Sequence, residues 1–271
     1  MNILSMLRSF FQSSVVDILP KAQNLDVAYI LGLHDVKQRY KRSTLGPLWL
    51  TISMAVMIAT IGFVFGGIFK TPLHDFFPYL TAGVVLWSFI STVLSEGCTV
   101  FIESEAIIKQ IPLPHFTFIL RLMWRNLLIL FHNIVILPFV LWVVGRNFHL
   151  EAFLAVPGMM LLMINLMWVV LILATICARY RDMPQIVQSI ILVIFYMTPI
   201  IWMRQTLPSD VRKVLIEWNP LFHLMEIVRA PLLGDLPSSL SWWVSILMAL
   251  IGWVVAIQFY QRYRYKIVYW V

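Results

Sequence analysis

Charged residues are scarce in this chain, because Asp, Glu, Lys and Arg make up only 12% of it whereas hydrophobic residues make up 61%. The mean hydropathy is +0.85. A soluble domain of 271 residues could not bury that much apolar surface, so lipid must surround most of the chain. The segment 48–69 has no formal charge, and about 20 such residues suffice for a helix to cross a hydrocarbon core. The composition therefore predicts a polytopic membrane protein.

Other absences exclude classes of function. The sequence has no G-x-x-x-x-G-K-[ST] loop that would hold the phosphates of ATP, so the chain is not expected to hydrolyse a nucleotide itself. It also has no metal-ligand cluster, nucleophile elbow or carboxylate pair, and we expect no enzyme activity, metal or cofactor in this chain. Its two cysteines, Cys98 and Cys177, lie in apolar stretches and are not expected to form a disulfide. Because the basic residues are spread along the ends of these stretches, a nucleic-acid partner is not expected either.

The apolar stretches predict an all-α polytopic membrane protein with six transmembrane helices, in one domain of residues 1–271. The predicted spans are 48–69, 76–100, 119–144, 154–178, 186–203 and 242–260. With the N-terminus inside, 14 of the 20 Lys and Arg residues fall in the inner segments. Since cytoplasmic loops carry an excess of Lys and Arg, both termini are predicted to be cytoplasmic.

An amphipathic helix is predicted before the first span, at 24–42, with Asn24 as its cap. Its apolar residues follow one stripe at steps of three and four: Leu25, Tyr29, Leu33, Val36 and Tyr40. Such a helix lies in the membrane interface, with its cations among anionic headgroups. The residues assigned to this interface are Lys37, Arg39, Tyr40, Lys41 and Arg42. A plain membrane anchor is the alternative to a part in an assembly or gate.

Two segments on the predicted cytoplasmic side could meet a partner. A short helix is predicted to begin at Ser104 and to stop at Pro112, and such a helix suits docking into a groove. The second segment is the loop with Arg179, Arg181 and Asp182. Its charges could tie the ends of spans together or contact a cytoplasmic partner, and an ordinary positive-inside loop is the alternative.

The outer segment 204–241 is cut by four prolines into short pieces. Its apolar stretch is too short to span, which predicts a re-entrant or surface-lying helix pair. Glu226 and Arg229 can pair on one helix face there. Near the inner ends of the spans, Arg121 and Arg125 are interpreted as reaching the inner headgroups.

Aromatic residues make up 14% of the chain. Span five is predicted to present Phe195, Pro199 and Trp202 on one helix face, and span one to present Phe65 and Phe69 likewise. Such aromatic faces can line a conduit and stack on sugar rings. Helix packing or lipid contact is the alternative for each ring.

Five short sequence strings occur in the order found in one transporter family. They are K-Q-R-Y-K-R-S-T-L-G-P-L-W from Lys37, I-I-K-Q-I-P from Ile107, R-Y-R-D from Arg179 with T-P-I from Thr198, N-P-L from Asn219 with E-I-V-R-A-P-L from Glu226, and Y-W-V from Tyr269. From about residue 24 onward, the chain therefore resembles the ABC-2 type permeases that export polysaccharides and teichoic acids. Within that family it resembles the O-antigen exporter permeases (Wzm type).

The resemblance implies a permease subunit of an ATP-binding-cassette exporter in the bacterial inner membrane. Such permeases act as homodimers with two copies of a separate ATPase, which holds the ATP and Mg. The implied cargo is a lipid-linked polysaccharide, here O-antigen linked to polyprenyl pyrophosphate. Export of capsule or teichoic acid by the same architecture stays open, and so does a membrane-embedded glycan transferase.

The resemblance also implies roles for particular residues. The helix that couples to the ATPase would comprise Glu103, Ser104, Glu105, Ala106, Ile107, Ile108 and Lys109. The cations of the interface helix would meet the pyrophosphate of the lipid carrier, as cations suit phosphate. An outer gate would contain His223, Glu226 and Arg229.

Overall fold

The computed structural model describes residues 22–41, 46, 48–147, 149–203 and 216–271, with backbone only at 22–24, 39 and 40. The helices in these residues are α1 (Ala22–Tyr40), α2 (Leu48–Phe69), α3 (Leu73–Glu103), α4 (Glu105–Gln110), α5 (Phe116–Ile134), α6 (Ile136–Val144), α7 (Ala155–Arg179), α8 (Met183–Met197), α9 (Pro220–Leu232) and α10 (Ser239–Trp270). A short 3₁₀ helix, Leu150–Leu154, leads into α7. The predicted all-α polytopic class is confirmed.

Within the described residues, five segments are long and apolar enough to cross a membrane. They are Leu48–Phe69, Leu73–Gln110, Phe116–Val144, Leu150–Arg179 and Ser239–Trp270. The fifth predicted span, 186–203, is different, because α8 has 15 residues and rises only about 22 Å against a hydrocarbon core of about 30 Å. Thr198 is extended, as expected for a residue that precedes a proline. Pro199 therefore shortens this helix.

The helix α3 is the centre of the bundle. It packs against α2, α5, α6, α7, α8 and α9, and most of its side chains are buried, from Phe76 at one end to Phe101 at the other. By contrast, α2 buries only Ile58, Gly62 and Gly66. The last helix, α10, packs on α7 and α9, and α1 lies on α5. The surroundings of α3 are therefore protein, whereas α2 turns most of its surface outward.

The helix α9 lies inside the bundle. Its residues 222–231 are all buried, and it packs on α3, α7 and α10. Gly158 of α7 permits this close approach, since a Cβ atom there would lie 2.4 Å from the carbonyl oxygen of Ile227. The surface-lying alternative is therefore wrong for α9, which is buried as a re-entrant helix would be. Residues 204–215 of the same predicted segment lie outside the described residues.

Candidate functional site

The predicted coupling segment contains a short helix whose N-cap residue is Ser104. The central helix α3 ends at Glu103, Ser104 turns the chain, and α4 begins at Glu105. Ser104 is buried and makes no side-chain cap bond. Its carbonyl oxygen instead accepts hydrogen bonds from the amides of Ile107 and Ile108, at 3.0 and 2.9 Å. Ser104 is therefore the N-cap residue of α4, and the prediction that a short helix starts at this residue is confirmed.

The helix α4 buries one side and exposes the other. Ile108 is buried, Ile107 packs partly against the core, and Ala106 and Lys109 are exposed. The Nζ atom of Lys109 lies 2.6 Å from a carboxylate oxygen of Glu105, one turn earlier. The exposed side therefore presents a small residue and a charge pair, and this is the side that a partner would meet.

The end of α10 meets α4 and the loop between α7 and α8. Lys109 Nζ donates to the carbonyl oxygen of Val271 at 2.8 Å, and Arg181 Nη2 donates to that of Trp270 at 3.3 Å. The Arg179 guanidinium lies 5.4 Å from the centroid of the Trp270 ring. Lys109 and Arg181 thus donate hydrogen bonds to carbonyl groups that have no partner within the helix, because they lie at its C-terminus. These contacts join three segments that are far apart in sequence.

The loop contacts match one of the alternatives predicted for it. Arg179 and Arg181 tie the end of α7 to the end of α10. Asp182 is exposed in the same turn. Contact of this loop with a partner stays a prediction.

The helix α1 is held to α5 by a buried face that the apolar stripe did not reveal. Ala28 and Gly32 are buried, and a Cβ atom on Gly32 would lie 3.0 Å from the Trp124 ring. Asp35, on the same face, accepts two hydrogen bonds of 2.6 Å from Arg121. Small residues thus permit the close approach, and a bidentate ion pair fixes it.

A second ion pair continues from α1 into the central helix. Arg125 lies 3.5 Å from Asp35 and donates to Glu96 of α3 at 2.7 Å. Asn126 donates to the same Glu96 oxygen at 2.8 Å. The expectation that Arg121 and Arg125 reach the headgroups is therefore wrong, because acids on α1 and α3 engage them. The signal was available, since ionisable residues at membrane depth usually pair with one another.

The predicted headgroup cations are only partly described. Lys37 and Lys41 are exposed. The side chains of Arg39 and Tyr40, and the whole of Arg42, lie outside the described residues. The helix begins at Ala22, so Asn24 is inside it and the predicted cap is wrong. Leu25 and Tyr29 of the apolar stripe are about half exposed, which leaves them available to lipid.

The predicted gate pair is confirmed as a contact and lies deep in the bundle. Arg229 Nη2 donates to Glu226 at 3.2 Å, and the two residues are 1% and 4% exposed. Through Nη1, Arg229 also donates to the carbonyl oxygen of Pro199 at 2.6 Å. Its Cζ lies 4.2 Å from the ring centroid of Tyr79, whose hydroxyl donates to the same Pro199 oxygen. This buried arginine therefore joins α9, the break after α8 and the start of α3.

A second set of polar contacts closes the same region. Asn219 caps α9, because its side-chain oxygen accepts from the next two amides that follow Pro220, and its amide donates to Thr198 at 3.0 Å. His223 Nε2 donates to the carbonyl oxygen of Glu217 at 3.0 Å, and its Nδ1 forms a hydrogen bond of 2.9 Å with the Ser241 hydroxyl. The strings that begin at Thr198 and Asn219 thus meet in space.

The four predicted channel aromatics do not form one surface. Phe65 and Phe69 contact each other, with ring centroids 5.8 Å apart. Phe195 contacts Trp87 of α3 instead, at 5.6 Å. Trp202 lies beyond the end of α8 and donates back to the carbonyl oxygen of Tyr196 at 3.2 Å. The predicted shared helix face of Phe195, Pro199 and Trp202 is therefore wrong, because the helix ends before the proline.

Across the described residues, no three His, Cys, Asp or Glu side chains lie close enough together to hold a metal ion. The acids Asp35, Glu96 and Glu226 are each paired with an arginine. The chemistry of these clusters is thus that of ion pairs between helices.

Comparison with known proteins shows what this chain is similar to. The chain matches the family described as ABC-2 type transporter over residues 28–233. It is 24% identical over 201 residues to the O-antigen export system permease protein RfbA of Klebsiella pneumoniae, covering 74% of this chain and 77% of that protein. It is 22% identical over 204 residues to the protein of the same name from Myxococcus xanthus (72% and 76%). It is 21% identical over 202 residues to the polysialic acid transport protein KpsM of Escherichia coli (73% and 78%).

Proposed function

Because the chain belongs to the ABC-2 type transporter family, we propose that it is the membrane permease of a polysaccharide exporter driven by a separate ATPase. The observation that carries this proposal is the position of α4. It follows the central helix α3 after a single turn residue, and its Lys109 contacts the end of α10. A displacement of α4 would therefore be transmitted to both α3 and α10. The matched relatives are permeases for O-antigen export and a polysialic acid transport protein.

The cargo of the proposed exporter is a lipid-linked polysaccharide, specifically O-antigen on a polyprenyl pyrophosphate. Two of the matched relatives are O-antigen export permeases, which supports this choice. The exposed Lys37 and Lys41 at the end of α1 supply cations for the pyrophosphate. A second candidate is an acidic capsule-type polysaccharide, because another relative is a polysialic acid transport protein.

The permease functions as a homodimer with two ATPase copies in the bacterial inner membrane, with both termini cytoplasmic. One chain has too few helices to enclose a conduit as wide as a sugar. Two chains related by a twofold axis can enclose such a conduit. The outward-facing surfaces of α2 and α8 support this, since at least half of the apolar side chains on each helix are exposed. The excess of Lys and Arg in the predicted inner segments supports the orientation.

The proposal is tested first by isolating the chain from its native membrane. An ATP-hydrolysing subunit should co-purify with it, and ATP hydrolysis should be required for export. A chain that modifies polyprenyl-linked glycan without any ATPase would instead be a transferase, and the proposal would be wrong.

The coupling step is tested by the double substitution Ile107→Ala and Lys109→Gln in α4. Export should be lost while ATP hydrolysis continues, because the ATPase would no longer move α3 and α10. Membrane insertion, checked by the yield of detergent-extracted protein, should be unchanged. The matched control is Ile68→Ala with Lys70→Gln, which makes the same chemical changes at exposed positions at the other end of the bundle. Normal export in the α4 variant would contradict the coupling role.

A further inference from the structure

The helix α10 is longer than a membrane crossing requires. Its 32 residues rise about 48 Å, or about 45 Å at a typical tilt of about 20°. The hydrocarbon core is about 30 Å thick, and the whole bilayer with headgroups about 40–45 Å. The C-terminal turns of α10 carry Arg262, Arg264 and Lys266. These turns therefore reach the aqueous edge of the predicted cytoplasmic side.

One side of these turns is fixed against the rest of the protein. Ile267 and Val271 are buried. Lys109 and Arg181 donate to the last two carbonyl oxygens of the chain, and Arg179 lies over the Trp270 ring. The surface of α4 is therefore continuous with the end of α10. A partner protein that covers Ala106 and Lys109 comes close to both helices.

The other side of the same turns is exposed. Tyr265 and Tyr269, one helical turn apart, are 71% and 86% exposed. Arg262 and Lys266 are exposed beside them. Tyrosine and arginine are, together with tryptophan, enriched among the residues that dominate protein–protein binding energy. An aromatic belt at the membrane surface is the other use of such residues, but Tyr269 lies only two residues before Val271, the residue that Lys109 of α4 contacts.

We propose that the exposed face of the last turns of α10, which carries Tyr265 and Tyr269, is a second docking surface for the ATPase subunit. This inference rests on the proposed function, in which α4 is the first docking surface. The cations Arg262, Lys266 and Arg181 call for an acidic surface on the partner. Contact at both places lets the ATPase hold α4 and α10 as one unit, joined by the Lys109–Val271 hydrogen bond.

The test uses a photoreactive benzoyl-phenylalanine at one position at a time in the full chain, with the ATPase co-expressed. Tyr269 probes the new surface, and Ala106 of α4 probes the surface that the proposed function requires. Trp243, an exposed aromatic residue near the opposite end of α10, is the matched control. Irradiation should join the ATPase to the chain at Tyr269 and Ala106, and not at Trp243.

The outcomes separate the inference from the proposed function. Cross-linking of the ATPase at Ala106 alone overturns the second surface and leaves the proposed function standing. Adducts with lipid alone at Tyr269 show a membrane belt and also overturn it. Cross-linking at neither Ala106 nor Tyr269 overturns both.

A binding measurement gives the size of the effect. Titration of the ATPase onto the reconstituted permease should show a Kd roughly tenfold weaker for Tyr269→Glu, as for loss of an aromatic residue important to an interface. Tyr269→Phe should retain most of the affinity, because it keeps the ring. Both variants should unfold at the same temperature as the original protein, since the residue is exposed. Equal affinity of Tyr269→Glu and the original protein would overturn the inference.

Discussion

Each end of α3 lies beside an acid–base pair whose two residues are three or four positions apart. One of these pairs is buried and the other is exposed. Near its start, Tyr79 covers the Glu226–Arg229 pair, whose side chains are 5% and 2% exposed. Beyond its end, the Glu105–Lys109 pair of α4 has side chains that are 46% and 45% exposed. Each pair is a local contact within its own helix, α9 or α4, and the two pairs differ in what surrounds them.

The difference in burial decides what each pair can do. A buried pair that loses one partner leaves a charge without water or a counter-ion, which is strongly destabilising. An exposed pair contributes little to stability, because water and salt screen it. The Arg229 cluster therefore holds α9, the Pro199 break and α3 in one arrangement, whereas the α4 pair stays available to a partner.

The Asp35–Arg121 pair lies between these extremes. Its side chains are 15% and 22% exposed, and it joins helices that are distant in the sequence. The three pairs thus form a series of increasing exposure, and each can be tested by a substitution that removes one charge.

The largest effect is expected for Arg229→Met. This change leaves the Glu226 carboxylate buried without its arginine and should lower the free energy of unfolding by about 3–5 kcal/mol. Unfolding of the detergent-solubilised protein in mixed micelles of increasing denaturing detergent measures it. The matched control is the double variant Arg229→Met with Glu226→Leu, which removes both charges and should recover most of the stability, because apolar replacement of a buried pair is often neutral. If the double variant were as unstable as the single one, the Glu226 carboxylate left without its arginine would not be the cause.

An intermediate effect is expected for Asp35→Asn. The amide keeps the shape of the carboxylate but loses its charge, so the hydrogen bonds to Arg121 should weaken by about 2 kcal/mol. Local opening of α1 should then be roughly 30-fold more frequent, and amide hydrogen exchange across α1 measures it. Asp26→Asn, at an exposed position of the same helix, should leave the exchange unchanged. Equal exchange in the Asp35 variant and the original protein would contradict the anchoring role.

The sequence was sufficient for features that depend on local spacing. The bounds of α2 coincide with the apolar segment 48–69, because the length of a charge-free run is itself the physical requirement for crossing lipid. The Glu226–Arg229 contact was predictable for a related reason, since residues three apart are neighbours on any helix. Neither prediction needs to know how the helices pack.

The sequence was insufficient to predict which face of a helix packs against its neighbours. The apolar stripe of α1 suggested a side for lipid, but the side that docks on α5 contains Ala28, Gly32 and Asp35. In membranes small residues permit close packing, and hydrophobicity does not distinguish a neighbouring helix from lipid. The choice between a re-entrant and a surface-lying α9 stayed open for the same reason, because the depth of α9 depends on Gly158 of α7, about 70 positions before the Ile227 that it contacts. The end of α8 could have been predicted, since Pro199 disfavours helical structure at the residue before it.

The smallest effect on stability is expected for Glu105→Gln, which removes the charge of the exposed pair on α4. No measurable change in unfolding should follow, because solvent already screens both groups. Glu226→Gln makes the same chemical change at the buried pair and is the matched control, with a clear loss of stability expected in the same unfolding assay. Because Lys109 would lose its ion pair but keep its contact with Val271, the effect of Glu105→Gln should appear in the number of ATP molecules hydrolysed per polymer exported. Equal losses of stability in the two glutamine variants would mean that burial does not distinguish the pairs, and that α4 is a structural element like α9.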